Sequence, residues 1–243
     1  MSAPPPQPQP EPEKQAEKVT HLVIMTGGLD SSVLLMLVKQ IIPPEAELKI
    51  IESGDRQYID PILEKAGVDK GKSVYAAPEG FDMSKATEWD DQKWSSLFKK
   101  LKEDKINVIH IPANYEEGLN NIPGSNFDFW QRVQTIASES GISISMPLRV
   151  VTKHAIILMA IDDYGLDLSK LAPPKTGDAE QDKLYQKIRD EAFKGAYSTK
   201  TGKYIKDPFS KEAKDKTAQE AQGQTPPPAV ATTAPPPTQS AAA

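Results

Sequence analysis

The chain has 243 residues, carries 29 Lys and Arg against 34 Asp and Glu for a formal net charge of −5, and contains no cysteine. That balance excludes the basic footprint of a DNA- or RNA-binding protein, and the absence of cysteine excludes disulfides, thiolate nucleophiles and cysteine metal sites. No stretch approaches the roughly 20 apolar residues of a membrane span, and the first residues are proline-rich rather than basic then apolar, so a soluble cytoplasmic protein with no nucleic-acid or membrane partner is expected.

Residues 1–18 hold six prolines and residues 212–243 six more, together 12 of the 22 in the chain. Neither end can bury enough apolar surface to offset chain entropy, so disordered tails are expected at 1–18 and 211–243, around one domain at 19–210. The triplets Pro4-Pro5-Pro6, Pro226-Pro227-Pro228 and Pro235-Pro236-Pro237 are candidate ligands for a protein partner, with solvated linker as the alternative.

The domain begins with an apolar β-prone run, Leu22 to Met25, then Gly27-Gly28 and an apolar helix that Asp30 or Ser31 can cap. Pro43-Pro44 stop that helix, Glu47–Ile51 reads as a second strand, and a helix over about Gln57–Ala66 closes at Gly67. Ser73–Ala76 reads as a short third strand. Ser84–Asp104 reads as a long helix whose Trp89, Trp94, Leu97, Phe98 and Leu101 form a core stripe, with Lys99, Lys100, Lys102 and Lys105 as a solvated face near its end. Asn107–Ile111 is a further strand, Pro112–Gly124 a loop, and Ser125–Ser140 a helix ended by Gly141. Ile142–Met146 alternates as a strand does. Thr152 can cap a helix over Lys153–Tyr164, and a last amphipathic helix over about Asp178–Lys194 turns Leu184, Ile188, Ala192 and Phe193 inward. Strands alternating with helices predict an α/β fold: a doubly wound, mostly parallel sheet of about five strands, helices on both faces, ligands at the strands' C-terminal edge.

A strand, a glycine turn and a helix N-terminus form a phosphate cradle, because unpaired amides and the helix dipole both favour negative charge. Thr26-Gly27-Gly28-Leu29-Asp30-Ser31-Ser32 is not a Walker A loop, since no Gly-Lys-Ser/Thr follows. It resembles the Ser-Gly-Gly-x-Asp-Ser loop of the PP-loop ATP pyrophosphatases, with Thr26 keeping the first hydroxyl. Within that superfamily the 7-cyano-7-deazaguanine synthases follow the loop with Phe-Asp-Tyr-Gly-Gln-Arg-His, and Ile51-Glu-Ser-Gly54-Asp-Arg56-Gln is similar at Gly54 and Arg56. Pro123-Gly124-Ser125-Asn126 resembles the family's Pro-Gly-Arg-Asn, and Pro147-Leu148 through Thr152-Lys153 to Gly165-Leu166 resembles its Pro-Leu-x-x-x-Thr-Lys segment. Four motifs in one order cover about residues 20–171.

The resemblance implies an adenine nucleotide alpha hydrolase-like fold and an ATP-dependent carbon–nitrogen ligase that activates a carboxylate by adenylation and releases pyrophosphate. Thr26, Gly27, Gly28, Leu29, Asp30, Ser31, Ser32, Gly54 and Arg56 would hold ATP. Asp30 would also orient the loop or Mg²⁺, and Lys153 would be the cation on the phosphates, making these two the catalytic pair. Arg56 and Asn126 would meet the substrate, with a surface ion pair and a helix cap as their structural alternatives. The partners it implies are 7-carboxy-7-deazaguanine, or another carboxylate, and ammonia, as in the queuosine pathway, with a homodimer as the usual assembly.

Departures from the pattern fall on the acceptor side. The family's four zinc cysteines are absent, and His21, His110 and His154 are scattered, so no zinc is expected. Only Gly141–Met146 separates the Asn126 helix from Pro147, too little for the family's extra strand and long substrate loop. The Lys-Ala-Glu triplet becomes Lys153-His154-Ala155. Three functions fit: a minimal deazaguanine synthase whose acceptor pocket is rebuilt from residues 112–126 or another subunit, a PP-loop ligase amidating or thiolating another acceptor, and a non-catalytic or structural member that keeps the nucleotide fold.

Overall fold

The structure, a computed structural model, describes residues 18–122, 125–173, 178–210 and 213. The chain divides into two units, Met1–Asp207 and Pro208–Ala243, and every element below belongs to the first. The expected tails at 1–18 and 211–243 lie almost wholly outside the described residues, as do Pro123 and Gly124.

Four parallel strands form the sheet: β1 (Thr20–Met25), β2 (Glu47–Glu52), β3 (Val108–His110) and β4 (Ser143–Ser145), in the order β2-β1-β3-β4. Val23 lies beside Ile50 on one side and His110 on the other. The fifth strand expected at Ser73–Ala76 is reduced to one bridge, Val74 to Ile50. A four-residue helix, α3 (Lys70–Ser73), takes up the preceding residues and leaves only Val74 and Tyr75 to reach β2, where the Tyr75 amide donates to Ile50. The order of strands reverses between β1 and β3, so a crevice opens beyond Met25 and His110, where doubly wound sheets bind ligands.

Alternation along the strands divides the core in two. Val23, Met25 and Ile50 face α1 (Leu29–Ile41), α2 (Arg56–Lys65) and α7 (Lys153–Leu158), burying Val33, Leu34, Ile59, Leu63, Ile156 and Ile157. Leu22, Ile24, Ile51, Ile109 and Ile144 face α4 (Asp91–Glu103) and α6 (Phe127–Glu139), burying Trp94, Leu97, Phe98, Leu101, Trp130 and Val133. Each such side chain taken from water stabilises the fold by about 1.5–3 kcal/mol, and the two-sided burial explains the strands' unbroken apolar runs.

The long helix expected from Ser84 is interrupted. Met83–Glu88 is a tight turn, and Asp90 caps α4 by accepting the Lys93 amide at 2.8 Å. The stripe survives because Trp89, although outside α4, packs against Trp94 with the rings tilted by 57° and their centroids 4.9 Å apart. The segment expected to be a loop after Pro112 contains α5 (Tyr115–Leu119), capped by Asn114. Helix α7 continues as a π-type turn over Met159–Asp163. Helix α8 (Ala179–Phe193) buries Arg189, Ala192 and Phe193, while Leu184 and Ile188 stay half-buried instead of entering the core. A small hairpin, β5 (Tyr197–Ser198) with β6 (Lys203–Tyr204), follows, and the Arg189 guanidinium forks onto the Asp207 carboxylate at 2.8 Å through both oxygens. No described helix is long and apolar enough to cross a membrane.

Two of the scattered histidines meet across β1 and β3. His21 Nδ1 lies 2.9 Å from His110 Nε2, the rings are nearly parallel, and His110 is 3% exposed. Burial first, then His21, pushes the His110 pKa down to about 4. A depressed histidine pKa confers stability that is complete above the unfolded value of about 6.5 and is lost as pH falls towards 4. Urea denaturation across that range should therefore show the wild type losing up to about 3 kcal/mol relative to His110→Leu. Parallel profiles for the two proteins would contradict it.

Candidate nucleotide site

Met25 ends β1 in the crevice, and the next seven residues turn back into α1. Gly27 makes the turn with φ of +77°, and a Cβ there would lie 2.8 Å from the Tyr58 Cβ. Gly28 is the N-cap residue, in an extended conformation and with no side-chain cap. The expectation that Asp30 or Ser31 caps the helix fails because both already lie inside its first turn. Ser31 and Ser32 direct their hydroxyls back to the Gly28 carbonyl at 3.1 and 2.7 Å, and the Thr26 and Ser31 hydroxyl oxygens are 3.0 Å apart. The hydroxyls thus brace the turn, while the first-turn amides of α1, including Leu29, are left without a side-chain acceptor, which is the arrangement that suits an anion.

Asp30 is 8% exposed and Lys153 1%. The Lys153 ammonium donates to Asp30 Oδ2 at 2.5 Å and to the Tyr185 hydroxyl oxygen at 3.1 Å, and pairs with Glu117 Oε1. These three contacts use all three of its protons. Asn114 donates to the same Asp30 oxygen at 3.2 Å, and Ser125 donates to Glu117 Oε2 at 2.8 Å. Asp30 Oδ1 is buried and has no partner. Helices α1, α5, α7 and α8 therefore converge on one ammonium.

Two carboxylates and one ammonium leave a net negative charge in a buried place, and the ionisation reflects it. Burial pushes the Asp30 pKa up to about 6, against the pull of Lys153. Burial also pushes Glu117 upward, but Lys153, Asn114 and Ser125 outweigh it and hold its pKa below the ordinary value. Lys153 would lose its proton more readily for being buried. Asp30 and Glu117 reverse that and hold it protonated, well above its usual range.

The other expected residues divide. Gly54 lies against the glycine loop: a Cβ on it would run into the Thr26 carbonyl, so the loop after β2 packs closely on the loop after β1. Arg56 is exposed and pairs at 2.8 Å with Glu52, four residues back at the end of β2. Asn126 caps α6, accepting the Phe129 amide at 2.9 Å and donating to Asn121. Neither reaches the Lys153 cluster in this structure. Asn114, Glu117, Ser125 and Tyr185 are missed by the sequence reading. Asn114-x-x-Glu117 has capping-box spacing and is the signal that could have found α5. Instead of closing that box, the Glu117 carboxylate turns to Lys153. The Ala172 amide also reaches the site, donating to the Gly27 carbonyl at 2.8 Å.

Among the described residues no group of three or more His, Cys, Asp or Glu could hold a metal ion. Asp30 Oδ1 fits Mg²⁺ in another way, as a single hard oxygen that shares the ion with phosphate oxygens.

No family model matches the chain, and no curated protein matches it. Among solved structures it is similar to the U34-tRNA thiolase NcsA from Methanococcus maripaludis, solved with its 4Fe-4S cluster, at 14% identity and a TM-score of 0.43. The likeness covers 73% of this chain and 66% of that one, just under two thirds of the thiolase. At that level it assigns neither family nor activity.

Lys153→Met strands two buried carboxylates and should lower stability at pH 8 by about 3–5 kcal/mol in urea denaturation. Combining it with Asp30→Asn and Glu117→Gln should recover most of that loss. A cost below about 1 kcal/mol for the single variant would show that the cluster does not hold the four helices together.

Proposed function

We propose that the protein binds MgATP over Thr26–Ser32 and uses it, as a PP-loop ATP pyrophosphatase does, to activate an acceptor acid with release of pyrophosphate. One observation carries this reading. The unpartnered, buried Asp30 Oδ1 sits in the first turn of an uncapped helix, beside a glycine turn that Gly27 and Gly54 shape at the end of β1.

The first-turn amides of α1 would take the phosphate oxygens, and their fixed dipoles would stabilise the charge that grows on departing pyrophosphate. Asp30 would hold Mg²⁺ through Oδ1, and the ion would supply neutralisation of phosphate charge. Lys153, with its protons committed to Asp30, Glu117 and Tyr185, acts through Asp30 by fixing the direction of that carboxylate. To donate to a phosphate it must first release one partner, and Tyr185 is the only neutral one. In the reaction a carboxylate oxygen of the acceptor attacks the α-phosphorus and the bond to the bridging oxygen breaks. Ammonia then attacks the acyl carbon of the adenylate and AMP leaves, giving the amide. A nitrile would need a second ATP, whose α-phosphorus the amide oxygen attacks with release of pyrophosphate and a proton, after which AMP departs with that oxygen and the nitrogen gives up its remaining proton.

The finer reading, supported by the ordered motifs at Gly54, Asn126 and Lys153, is synthesis of a 7-cyano-7-deazaguanine-type product from 7-carboxy-7-deazaguanine. Its test is incubation of the full chain with MgATP, ammonium and that acid, with pyrophosphate, AMP and nitrile measured. Pyrophosphate release should fall at least about 100-fold in Asp30→Asn, which keeps the side chain's shape. In Gly54→Ala, where the Thr26 carbonyl must shift, it should also fall. Acid-independent MgATP binding without pyrophosphate release would reduce the function to nucleotide binding. Release with another acid, or transfer of sulfur in place of nitrogen, would keep the ATP chemistry and change the acceptor or donor. No MgATP binding by calorimetry would refute the proposal.

A further inference from the structure

The six side chains of the Lys153 cluster are not equally placed. Asp30, Asn114, Glu117, Ser125 and Lys153 are buried, whereas Tyr185 is half-buried, so the cluster meets the surface at α8. Helix α8 also lies beyond residues 20–171, and none of the ordered motifs anticipates a ligand contact there.

The hydrogen bonds single out the same residue. The Tyr185 oxygen accepts from Lys153 at 3.1 Å, the longest of the ammonium's three contacts, and its own proton meets no acceptor among the described residues. The three protons of Lys153 and the hydroxyl proton of Ser125 are all taken. Burial first, then Glu117, raises the phenol pKa, so Tyr185 keeps its proton at neutral pH and remains a donor. A hydroxyl that accepts from an ammonium is a stronger donor than an isolated phenol, because linked hydrogen bonds polarise one another. Two contacts bring this donor to the glycine turn. Lys153 joins Tyr185 to Asp30, in the first turn of α1, and ahead of α8 the Ala172 amide ties the chain to the Gly27 carbonyl.

We infer that Tyr185 is a ligand-binding residue: its hydroxyl donates to a phosphate oxygen of the nucleotide while its oxygen keeps the bond from Lys153. The inference rests on the MgATP reading. The charge of Lys153 then acts on the phosphate through one neutral hydroxyl, and no proton of the buried ammonium loses its acceptor on the way. Asp30, on the same ammonium, would hold the metal that shares those phosphate oxygens.

The test is calorimetry of the full chain with Mg²⁺ and α,β-methylene-ATP, wild type against Tyr185→Phe. Phenylalanine keeps the ring, whose centroid lies 5.0 Å from the ammonium, and removes only the hydroxyl. Binding should weaken at least about tenfold, the loss expected for one hydrogen bond to a charged oxygen. A second measurement needs no variant: in the wild type the ¹³Cζ resonance of Tyr185, assigned among the seven tyrosines of the chain, should shift on saturation with the triphosphate. Binding to Tyr185→Phe as tight as to the wild type, or tighter, would overturn the inference, since the hydroxyl would then only cover an ammonium that meets the phosphate itself. Weaker binding with an unmoved Tyr185 resonance would also overturn it, leaving the phenol a structural part of the cluster. In both cases the nucleotide reading stands. If the wild type binds no triphosphate, that reading fails and the inference with it.

Discussion

The ammonium of Lys153 is the point on which the rest of the site depends. It is buried beyond the reach of water and held by two carboxylates and a phenol from three other helices. An isolated charge in such a place is too costly to persist, so each partner is required for the others to remain. The helices they belong to, α1, α5 and α8, are fixed around α7 by the same requirement. A cluster of this kind adds little to stability compared with a packed apolar core. Its effect is positional. It holds the first turn of α1 at a set angle to the crevice and leaves one oxygen of Asp30 without a protein partner.

Burial explains why Asp30 is poised as it is: it raises the carboxyl pKa to about 6 against the pull of Lys153, and Glu117, the second carboxylate on the one ammonium, adds to the rise. A divalent cation arriving with phosphate would supply the missing positive charge. With two carboxylates to one ammonium the site is electrostatically incomplete as built, and on the proposed reading MgATP, not a bare anion, would complete it.

Much of the scaffold is legible in the sequence because it rests on local rules. Leu22–Met25 and Glu47–Ile51 are strands by their apolar runs, Gly67, Gly141 and Gly165 close helices with positive φ, and Thr152 caps α7 as its position predicts. The glycine loop is legible for the same reason. What sequence does not reveal depends on contacts between distant segments. Ser73–Ala76 has strand character, yet only Val74 pairs. Ser84–Asp104 has helical periodicity, yet Asp90 restarts the helix. His21 and His110 look unrelated until parallel pairing of β1 with β3 stacks them. Glu117 and Tyr185 carry no pattern that assigns them to Lys153, 36 and 32 residues away in the chain. Conversely, the motif positions Arg56 and Asn126 are engaged locally, with Glu52 and with the start of α6.

A crystal structure of the full chain with Mg²⁺ and α,β-methylene-ATP tests the central claim most directly. The triphosphate should lie over the first-turn amides of α1 at Leu29–Ser31, with the metal on Asp30 Oδ1. Nucleotide bound elsewhere, or a metal that ignores Asp30 while phosphate occupies the loop, would contradict it.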